Sequence, residues 1–350
     1  MHVGDGYRRG SRPKFYSITR LAVHCPEVFI GFFPLSPNFS EVSSQDGKVF
    51  IITGGASGIG FELSKMLYQR GGHVYIAGRS ESKAQAAIKA IVDGTVVTTA
   101  TGRLEFIHLE LDDLPSVKTF VDTFKSKETK LRVLWNNAGV SRPPVGSLSK
   151  QGIELQVATN YLSPFPLTQL LLPLLQATKL SETPELQHDF GSVRVVWTSS
   201  QAAQLSAPKG GLIMSELHNP PADATRLYVN SKTGNLFLAS ELSRRYGIAS
   251  VSTNPGAAST NLFRHTPGVK YFDWPLLHKP AMAALTQWFA GVSQDISDKD
   301  LKGDYIIPWG MVSKHLRDDL LEAMKLQEEG GSGRASEFWN YCDEATSKYH

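Results

Sequence analysis

From Lys48 onward, short runs rich in β-branched residues alternate with longer segments of helical periodicity. This alternation is typical of parallel strands joined by crossover helices, which cover both faces of one sheet. We predict strands at Val49–Thr53, His73–Ala77, Leu104–Leu109, Arg132–Trp135, Ser192–Thr198, Ser250–Asn254 and Tyr305–Ile307. We predict helices at Gly58–Gln69, Ser80–Val92, Ser116–Ser126, Gln151–Thr178, Arg226–Tyr246 and Ala281–Ser293. The pattern therefore predicts an α/β fold: a single doubly wound domain with a parallel sheet of about seven strands.

The first 45 residues differ from the rest of the chain. Residues 1–20 are basic, and the apolar stretch Leu21–Phe33 that follows is interrupted by His24, Pro26 and Glu27. A basic segment followed by apolar residues is compatible with a targeting signal or a surface anchor, but the interruptions favour a poorly ordered tail. We therefore predict an N-terminal extension over 1–45 and the domain over 46–350, with membrane association depending only on residues 1–33.

Composition excludes several classes of protein. The formal net charge is +3 in 350 residues, too small to favour nucleic-acid binding. Two cysteines, Cys25 and Cys342, cannot form a disulfide scaffold or a cysteine-based zinc site, and they favour a reducing compartment such as the cytoplasm. No uninterrupted apolar run reaches the roughly 18 residues of a membrane-spanning helix. His265 and His278 are isolated, so we predict no metal site.

A glycine-rich turn follows the first predicted strand. The strand leads directly into Thr53-Gly54-Gly55-Ala56-Ser57-Gly58-Ile59-Gly60 and then into a predicted helix. Glycines at this point allow a tight turn and let the backbone approach a pyrophosphate, while the helix N-terminus supplies N–H groups and the positive end of its dipole. The placement predicts a dinucleotide site formed by Gly54, Ser57, Gly58, Ile59 and Gly60.

The Gly-x-x-x-Gly-x-Gly spacing after Thr53 resembles the short-chain dehydrogenase/reductase family, and the resemblance extends along nearly all of 48–310. Asn136-Asn137-Ala138-Gly139 follows the fourth strand, as in that family, and Pro255-Gly256 followed by Thr260 matches the segment after the sixth. The resemblance implies a Rossmann domain and a nicotinamide cofactor. It places Asn137 in the cofactor cleft, with Pro255 and Thr260 at the nicotinamide end.

The end of the second strand bears on the choice of cofactor. Gly78 occupies the place where an acidic residue would accept hydrogen bonds from a free ribose 2′-hydroxyl, and Arg79 follows it. A guanidinium suits a 2′-phosphate, although Arg79 also fits a simple surface position. We predict NADP(H) over NAD(H), with Ser57 and Lys83 assisting. For the adenine contact, where the family usually has Asp, we favour Glu110 slightly over Asp112.

Four residues match the family's catalytic set: Asn160, Ser200, Tyr228 and Lys232. The i,i+4 spacing of Tyr228 and Lys232 puts both side chains on one face of a helix. A free phenol has a pKa near 10, and we expect the Lys232 ammonium to lower that of Tyr228 so that it can donate a proton. By resemblance, Lys232 also bonds the nicotinamide ribose and Asn160 holds a water.

Of the adjacent Ser199 and Ser200, the second fits the family's position better. The serine would donate a hydrogen bond to the substrate oxygen. Taken singly, each of these residues also fits an ordinary role, as a turn, core or solvated side chain.

Substrate identity depends on two predicted loops, at about 201–227 and 261–280. The second carries Phe263, Tyr271, Phe272 and Trp274, which favour a bulky apolar substrate if they do not simply pack the loop onto the body. Both loops resemble the retinol-dehydrogenase-like branch common in filamentous fungi, where members often act in secondary metabolism.

We therefore predict an NADP(H)-dependent oxidoreductase acting on a small-molecule alcohol or carbonyl. The alternative is a non-catalytic NADP(H)-binding sensor on the same fold. Two-fold assemblies are common in the family, so the resemblance also allows a homodimer.

Overall fold

One eight-stranded sheet forms the centre of the molecule. The computed structural model describes residues 44–96, 102–182, 193–266, 277–293, 296 and 302–350. The strands are β1 Val49–Thr53, β2 His73–Gly78, β3 Arg103–His108, β4 Val133–Asn136, β5 Arg194–Thr198, β6 Ala249–Thr253, β7 Lys302–Ile307 and β8 Met311–Val312. Their order is β3-β2-β1-β4-β5-β6-β7-β8, parallel except for β8. The predicted doubly wound α/β fold is thus confirmed.

Helices follow most strands. They are α1 Gly58–Tyr68, α2 Glu81–Asp93, α3 Leu114–Lys127, α4 Pro164–Leu180, α5 Gln201–Ser206, α6 Ser215–His218, α7 Ala224–Tyr246, α8 Pro280–Val292, α9 Asp318–Met324 and α10 Arg334–Thr346. The predicted elements agree with these to within a few residues, apart from one helix.

The central strands β1, β4 and β5 are buried on both faces and their sequences are almost continuously apolar, whereas the edge strand β3 is partly exposed. Alternate residues of β1 point to opposite sides: Ile51 joins a core that also contains Phe237 of α7, and Phe50 joins a core with Trp288 of α8. Because side chains alternate across a strand, the central strands β1, β4 and β5 supply both cores. The carboxyl ends of the seven parallel strands lie at the same edge of the sheet.

The predicted helix Gln151–Thr178 is not continuous. A short turn at Leu155–Val157 leads into a π-helical turn, Ala158–Leu162, and α4 starts only at Pro164. Proline lacks a backbone N–H and is accepted at the first position of a helix, so Pro164 begins a new helix rather than extending the old one. Ser163 N donates to Ala158 O at 2.9 Å across the π turn.

Other features were not predicted. The two-residue strand β8 adds an antiparallel edge, and α5, α6, α9 and α10 have no counterpart among the predicted helices. The N-terminal extension, apart from residues 44 and 45, and residues 267–276 of the second predicted loop lie outside the described residues. Across the part of the chain that is described, each helix is too short or too polar to span a membrane.

Candidate functional site

A cleft of about 870 Å³ opens at the carboxyl ends of the strands. It runs from the end of β2, past the turn after β1, to the start of α7. Strands β1 and β4 are neighbours in the sheet, and residues that follow each of them line the cleft. In doubly wound sheets this is the point where the strand order reverses and where ligands bind. The cleft therefore lies where the topology predicts a site.

The turn after β1 is built for close backbone approach. Gly54 has φ +69, and a Cβ on Gly60 would lie 2.5 Å from Gly54 O and 2.8 Å from Asn137 Nδ2. Asn137 Nδ2 donates to Thr53 O at 2.8 Å, and the Thr53 hydroxyl accepts from Asn137 N at 2.9 Å. Asn137 therefore lines the cleft and also locks the β4 turn to the β1 turn.

The N-terminus of α1 faces the cleft. Ser57 is the exposed N-cap residue, but its hydroxyl makes no capping hydrogen bond, which leaves it able to bond a ligand there. Gly58 has φ +56, and a Cβ there would contact Thr260 Cγ2 at 3.2 Å. Ile59 is half-buried and also lines the cleft. The N–H groups of the first helical turn have no partners within the helix, so this is an anion-binding position.

The cleft extends to the end of β2. A Cβ on Gly78 would meet nothing within 4 Å, so open space lies beside this residue. The Arg79 side chain is 62% exposed, and its Nη1 lies 3.3 Å from Asp112 Oδ2. An exposed ion pair of this kind contributes only about 0–1 kcal/mol, so the guanidinium is free to turn toward a bound phosphate. Lys83 also lines this end of the cleft.

Glu110 and Asp112 are separated by the structure. The Glu110 carboxylate accepts from Lys150 Nζ at 2.7 Å, and Glu110 is not among the residues that line the cleft. Asp112 does line it, and its Oδ1 is buried without a hydrogen-bond partner. The structure thus places Asp112, and not the slightly preferred Glu110, on the wall of the cleft. Lys150, which pairs with Glu110, is distant in sequence.

The two serines after β5 have different roles. Ser199 is buried, and its hydroxyl donates to Lys232 O at 2.6 Å, which ties β5 to α7. Ser200 is half-buried and lines the cleft together with Tyr228. Ser200 is therefore the serine that faces the predicted reaction site.

Tyr228 and Lys232 lie on the same face of α7. The Lys232 ammonium lies 5.7 Å from the centre of the Tyr228 ring, and both residues line the cleft. Lys232 Nζ donates to Thr198 O at 2.9 Å. The structure thus brings Ser200, Tyr228 and Lys232 together around one small space.

The electrostatics of this group differ from expectation. We expected Lys232 to lower the pKa of Tyr228, but burial raises that pKa above 10. Opposing contributions come from the Ser200 hydrogen bond and from the charge of Arg142. Burial also lowers the pKa of Lys232 to about 8. Burial has the largest effect on both pKa values, because neither charged form can be fully hydrated at the base of the cleft.

Asn160 lies in the π-helical turn rather than on the cleft wall. Its Oδ1 accepts from Val140 N at 2.8 Å, and its Nδ2 donates to Val140 O and to Ser231 Oγ, both at 2.9 Å. A Cβ on Gly139 would lie 3.2 Å from Asn160 Oδ1 and 3.5 Å from Lys232 Nζ. The Asn160 side chain therefore fastens the loop after β4 beside the lysine and is fully engaged in doing so.

The opposite wall follows β6. Pro255 and Thr260 line the cleft, and the Thr260 hydroxyl accepts from Leu262 N at 3.2 Å. Of the aromatic residues predicted for the substrate, Phe263 is half-buried and lines the cleft. Tyr271, Phe272 and Trp274 lie outside the described residues.

Several site residues escaped the sequence reasoning. Asn235 Nδ2 donates to the same Thr198 carbonyl as Lys232, at 2.9 Å, and Tyr305 OH donates to Ser200 O at 2.9 Å. These contacts join residues far apart in the chain, so no local pattern signals them. Arg142, which lines the cleft, did carry a signal: a cation between the Asn-Asn-Ala-Gly motif and two prolines.

Comparison with known proteins identifies relatives over most of the chain. A family model described as short chain dehydrogenase matches residues 48–267. The short-chain dehydrogenase/reductase iacJ of Pestalotiopsis fici is 39% identical over 333 residues, covering 91% of this chain and 97% of the relative. A short-chain dehydrogenase/reductase of Phomopsis amygdali is also 39% identical, over 328 residues, covering 91% of this chain and 95% of its own.

Solved structures agree with the fold. A protein of Mycobacterium paratuberculosis described as putative and uncharacterized superposes with a TM-score of 0.60 at 25% identity, covering 88% of this chain and 96% of its own. The Pseudomonas aeruginosa RhlG/NADP active-site complex gives a TM-score of 0.55 at 23% identity, covering 76% and 96%.

Proposed function

Because the chain belongs to the short-chain dehydrogenase/reductase family, we propose that it is an NADP(H)-dependent oxidoreductase that interconverts an alcohol with its ketone or aldehyde. Members of this family bind a nicotinamide cofactor. The observation that carries the proposal is the convergence of Ser200, Tyr228 and Lys232 on the cleft that the α1 N-terminus also faces. A sensor would need the glycine turn but not this group of side chains.

The residues of the cleft fit a phosphorylated dinucleotide. Gly60 lets the N-terminus of α1 pack against the turn after β1, and Ser57 has a hydroxyl that does not cap its own helix. Open space at Gly78 lies next to Arg79, whose ion pair with Asp112 is largely exposed on the arginine side and therefore weak. In this assignment the pyrophosphate lies on the α1 N-terminus, Asp112 faces the adenine and Arg79 binds the 2′-phosphate.

The chemistry divides between the cofactor and the side chains. A bound NADPH supplies the hydride. Ser200 donates a hydrogen bond to the carbonyl oxygen and holds it beside the phenol. Tyr228 transfers its proton to that oxygen; because burial raises its pKa above 10, the phenol keeps this proton at neutral pH. Lys232 holds a positive charge nearby below about pH 8.

The substrate end of the cleft supports a bulky, largely apolar substrate. Leu155, Leu205, Leu262 and Phe263 all line it. The fungal relatives and the branch resemblance support a role in secondary metabolism for this chain. Such a substrate would lie against these side chains with its carbonyl toward Ser200 and Tyr228.

Tyr228→Phe tests the catalytic assignment. We expect turnover of a panel of carbonyl compounds, followed by NADPH absorbance, to fall by at least about 100-fold, because the proton donor is lost. NADPH affinity, measured by fluorescence titration, should change little. Tyr246→Phe is the matched control, since Tyr246 lies on the same helix outside the cleft and is 36% exposed. Equal activity of the two variants would contradict the assignment, and a wild type that binds NADPH without turning over any compound would favour the sensor.

Arg79→Gln tests the cofactor assignment. Loss of a charge-assisted contact should lower kcat/KM for NADPH by about tenfold or more and leave that for NADH almost unchanged. Arg103→Gln is the control: Arg103 is equally exposed, pairs with Glu105 at 2.7 Å and does not line the cleft. A parallel fall for both cofactors, or a wild type that prefers NADH, would refute the preference.

A further inference from the structure

Arg142 is a cleft residue to which neither the cofactor nor the proton transfer gives a role. It lies on the loop after β4, immediately before Pro143, and its side chain is half-buried. It lines the same cleft as Tyr228 and Leu155. Its loop is joined through Gln156 to Ala224, one turn before Tyr228 on α7, which places it toward the substrate end rather than toward Arg79 at the end of β2.

The backbone at Arg142 is strained and firmly held. Its φ is +47, a conformation that residues other than glycine adopt at a cost of about 1–3 kcal/mol. Arg142 N donates to Gln156 Oε1 at 2.9 Å, and Gln156 Nε2 in turn donates to Ala224 O at 3.1 Å. Strain of this kind persists where the surroundings over-determine it, as they do at ligand sites. These hydrogen bonds therefore hold in place the backbone position from which the Arg142 side chain extends.

Among the described residues the guanidinium of Arg142 has no counter-ion. No carboxylate in that part of the chain forms an ion pair with it, and its Nε reaches only Ser141 Oγ, at 3.4 Å. Asp112 is the single acidic residue among those that line the described cleft, and it pairs with Arg79. Lys232 and Arg264 also line this end of the cleft without an ion pair among the described residues, so it carries more than one positive charge. Arg142 is partly desolvated there, and a ligand anion would neutralise it.

The guanidinium also acts on the proton donor. Its charge lowers the pKa of Tyr228, in keeping with the hydrogen bonds that join its loop through Gln156 to Ala224, one turn before Tyr228 on α7. A group bound by Arg142 would therefore lie near the reacting carbonyl. A guanidinium presents a planar pair of N–H donors that matches a carboxylate with two parallel hydrogen bonds.

We propose that Arg142 binds a carboxylate of the substrate, so that the preferred substrate is an apolar carbonyl compound carrying an acid group close to its carbonyl. This inference rests on the proposed function and adds the substrate class. The apolar wall holds the body of the substrate, Arg142 holds its acid, and the carbonyl between them is presented to Ser200 and Tyr228. The pyrophosphate of the cofactor is not the anion in question, because the α1 N-terminus already provides its place.

The experiment compares acids with esters of the same skeleton. Benzoylformate, benzoylacetate and benzoylpropionate place the carboxylate progressively farther from the carbonyl, and each is compared with its methyl ester. We measure kcat/KM by NADPH oxidation, and binding to the protein with NADP⁺ by calorimetry. The variants are Arg142→Gln and Arg142→Lys, which keep a side chain at the strained position.

For at least one acid, the wild type should prefer the acid over its ester. Arg142→Gln should reduce that preference by about tenfold or more, since a charge-assisted pair is lost. Arg142→Lys should retain part of it, because the charge remains without the planar pair of donors. Arg79→Gln is the matched control at the other end of the cleft, and it should leave the acid-to-ester ratio unchanged.

Three outcomes would overturn the inference. One is a wild type that prefers every ester in both assays. Another is an equal loss for acid and ester in Arg142→Gln with a shifted pH profile, which would make Arg142 a positioning residue for Tyr228. The third is weaker NADPH binding in Arg142→Gln with an unchanged acid-to-ester ratio, which would assign the arginine to the cofactor.

Failure of the proposed function would look different. In that case no compound is turned over, while calorimetry still reports whether acids bind more tightly than esters and whether Arg142→Gln abolishes the difference. Arg142-dependent binding without turnover would keep the anion site and reject the oxidoreductase.

Discussion

Lys232 belongs to the candidate site, but its buried charge lowers the free energy of unfolding of the protein. The side chain is only 3% exposed, and its ammonium donates to Thr198 O in a setting that lowers its pKa from the usual 10.5 to about 8. The ion pairs found in the described residues do not include Lys232. Below pH 8 the folded protein must therefore hold a charge that it solvates poorly, whereas the unfolded chain solvates it well.

Lys232→Met should consequently stabilise the cofactor-free protein at pH 7. The gap between 10.5 and about 8 corresponds to a gain on the order of 3 kcal/mol. Because the folded-state pKa is lowered, the wild type recovers this stability as pH rises from about 8 to 10.5, and the difference should vanish there. Asn235 Nδ2 continues to satisfy the Thr198 carbonyl in the variant.

Denaturant unfolding at pH 7 and pH 10 measures the effect. Lys125→Met is the control, since Lys125 is exposed on α3 and lines no cleft. Its free energy of unfolding relative to wild type should not depend on pH. A gain for Lys232→Met that is equal at both pH values would show that the lysine is not desolvated.

At the scale of elements, the site depends on how closely α1 approaches the turn after β1. The helix contacts that turn at Gly60, where a Cβ would lie 2.5 Å from a backbone oxygen. The same turn is bonded through Thr53 to Asn137 after β4. One glycine thus couples the helix N-terminus, which is the proposed pyrophosphate site, to both of the strands that border the cleft.

Gly60→Ala should therefore displace α1 and weaken the protein as well as its cofactor site. A clash with backbone atoms cannot be relieved by a side-chain rotation, so we expect a loss of about 1–3 kcal/mol and a marked rise in the Kd for NADPH. Thermal unfolding and fluorescence titration measure the two effects. Gly78→Ala lies in the same cleft with open space around its Cβ, and should leave the unfolding midpoint within about 2 °C of wild type. Equal midpoints for the two variants would contradict the role of Gly60.

For the whole molecule, the C-terminal segment completes the larger core. Helix α10 lies beyond the match to the family model, which ends at residue 267, yet it packs on α4 and α7. Trp339 contacts Phe165 of α4 edge-on at 4.8 Å, and Phe338 lies 5.2 Å from Tyr161 and 6.4 Å from Phe237, measured between ring centres. Helix α7, which carries Tyr228 and Lys232, is therefore supported by its packing against α10.

Trp339→Ala tests this support. Removing a large, buried ring should cost about 3–5 kcal/mol of unfolding free energy, measured in denaturant. Leu321→Ala, on the neighbouring α9, is the control, since Leu321 is 42% exposed. We expect its effect to stay within about 0.5–1 kcal/mol. Similar small losses for both variants would mean that α10 is not part of the cooperative core.

Much of this architecture was predictable from local pattern. The strands and the crossover helices follow from runs of β-branched residues and from helical periodicity, and the i,i+4 spacing of Tyr228 and Lys232 sets them on one face of α7. The prediction was wrong where a proline or long-range packing decides the local structure. At Pro164, for example, one predicted helix is divided into two parts. The short helices α5, α6 and α9 lack a long enough periodic pattern to be predicted, whereas the 13-residue helix α10 is long enough and was missed.

Local spacing was enough to predict the type of fold, the glycine turn and the candidate residues, because these depend on neighbours within one or two turns of the chain. Which candidates share a surface, and in what electrostatic state, depends on the tertiary structure. It engaged Glu110 with Lys150, turned Ser199 inward, raised the pKa of Tyr228 through burial and left Arg142 without a carboxylate partner among the described residues. The physical reason is that desolvation and ion pairing depend on segments brought together by the sheet, which no local spacing encodes.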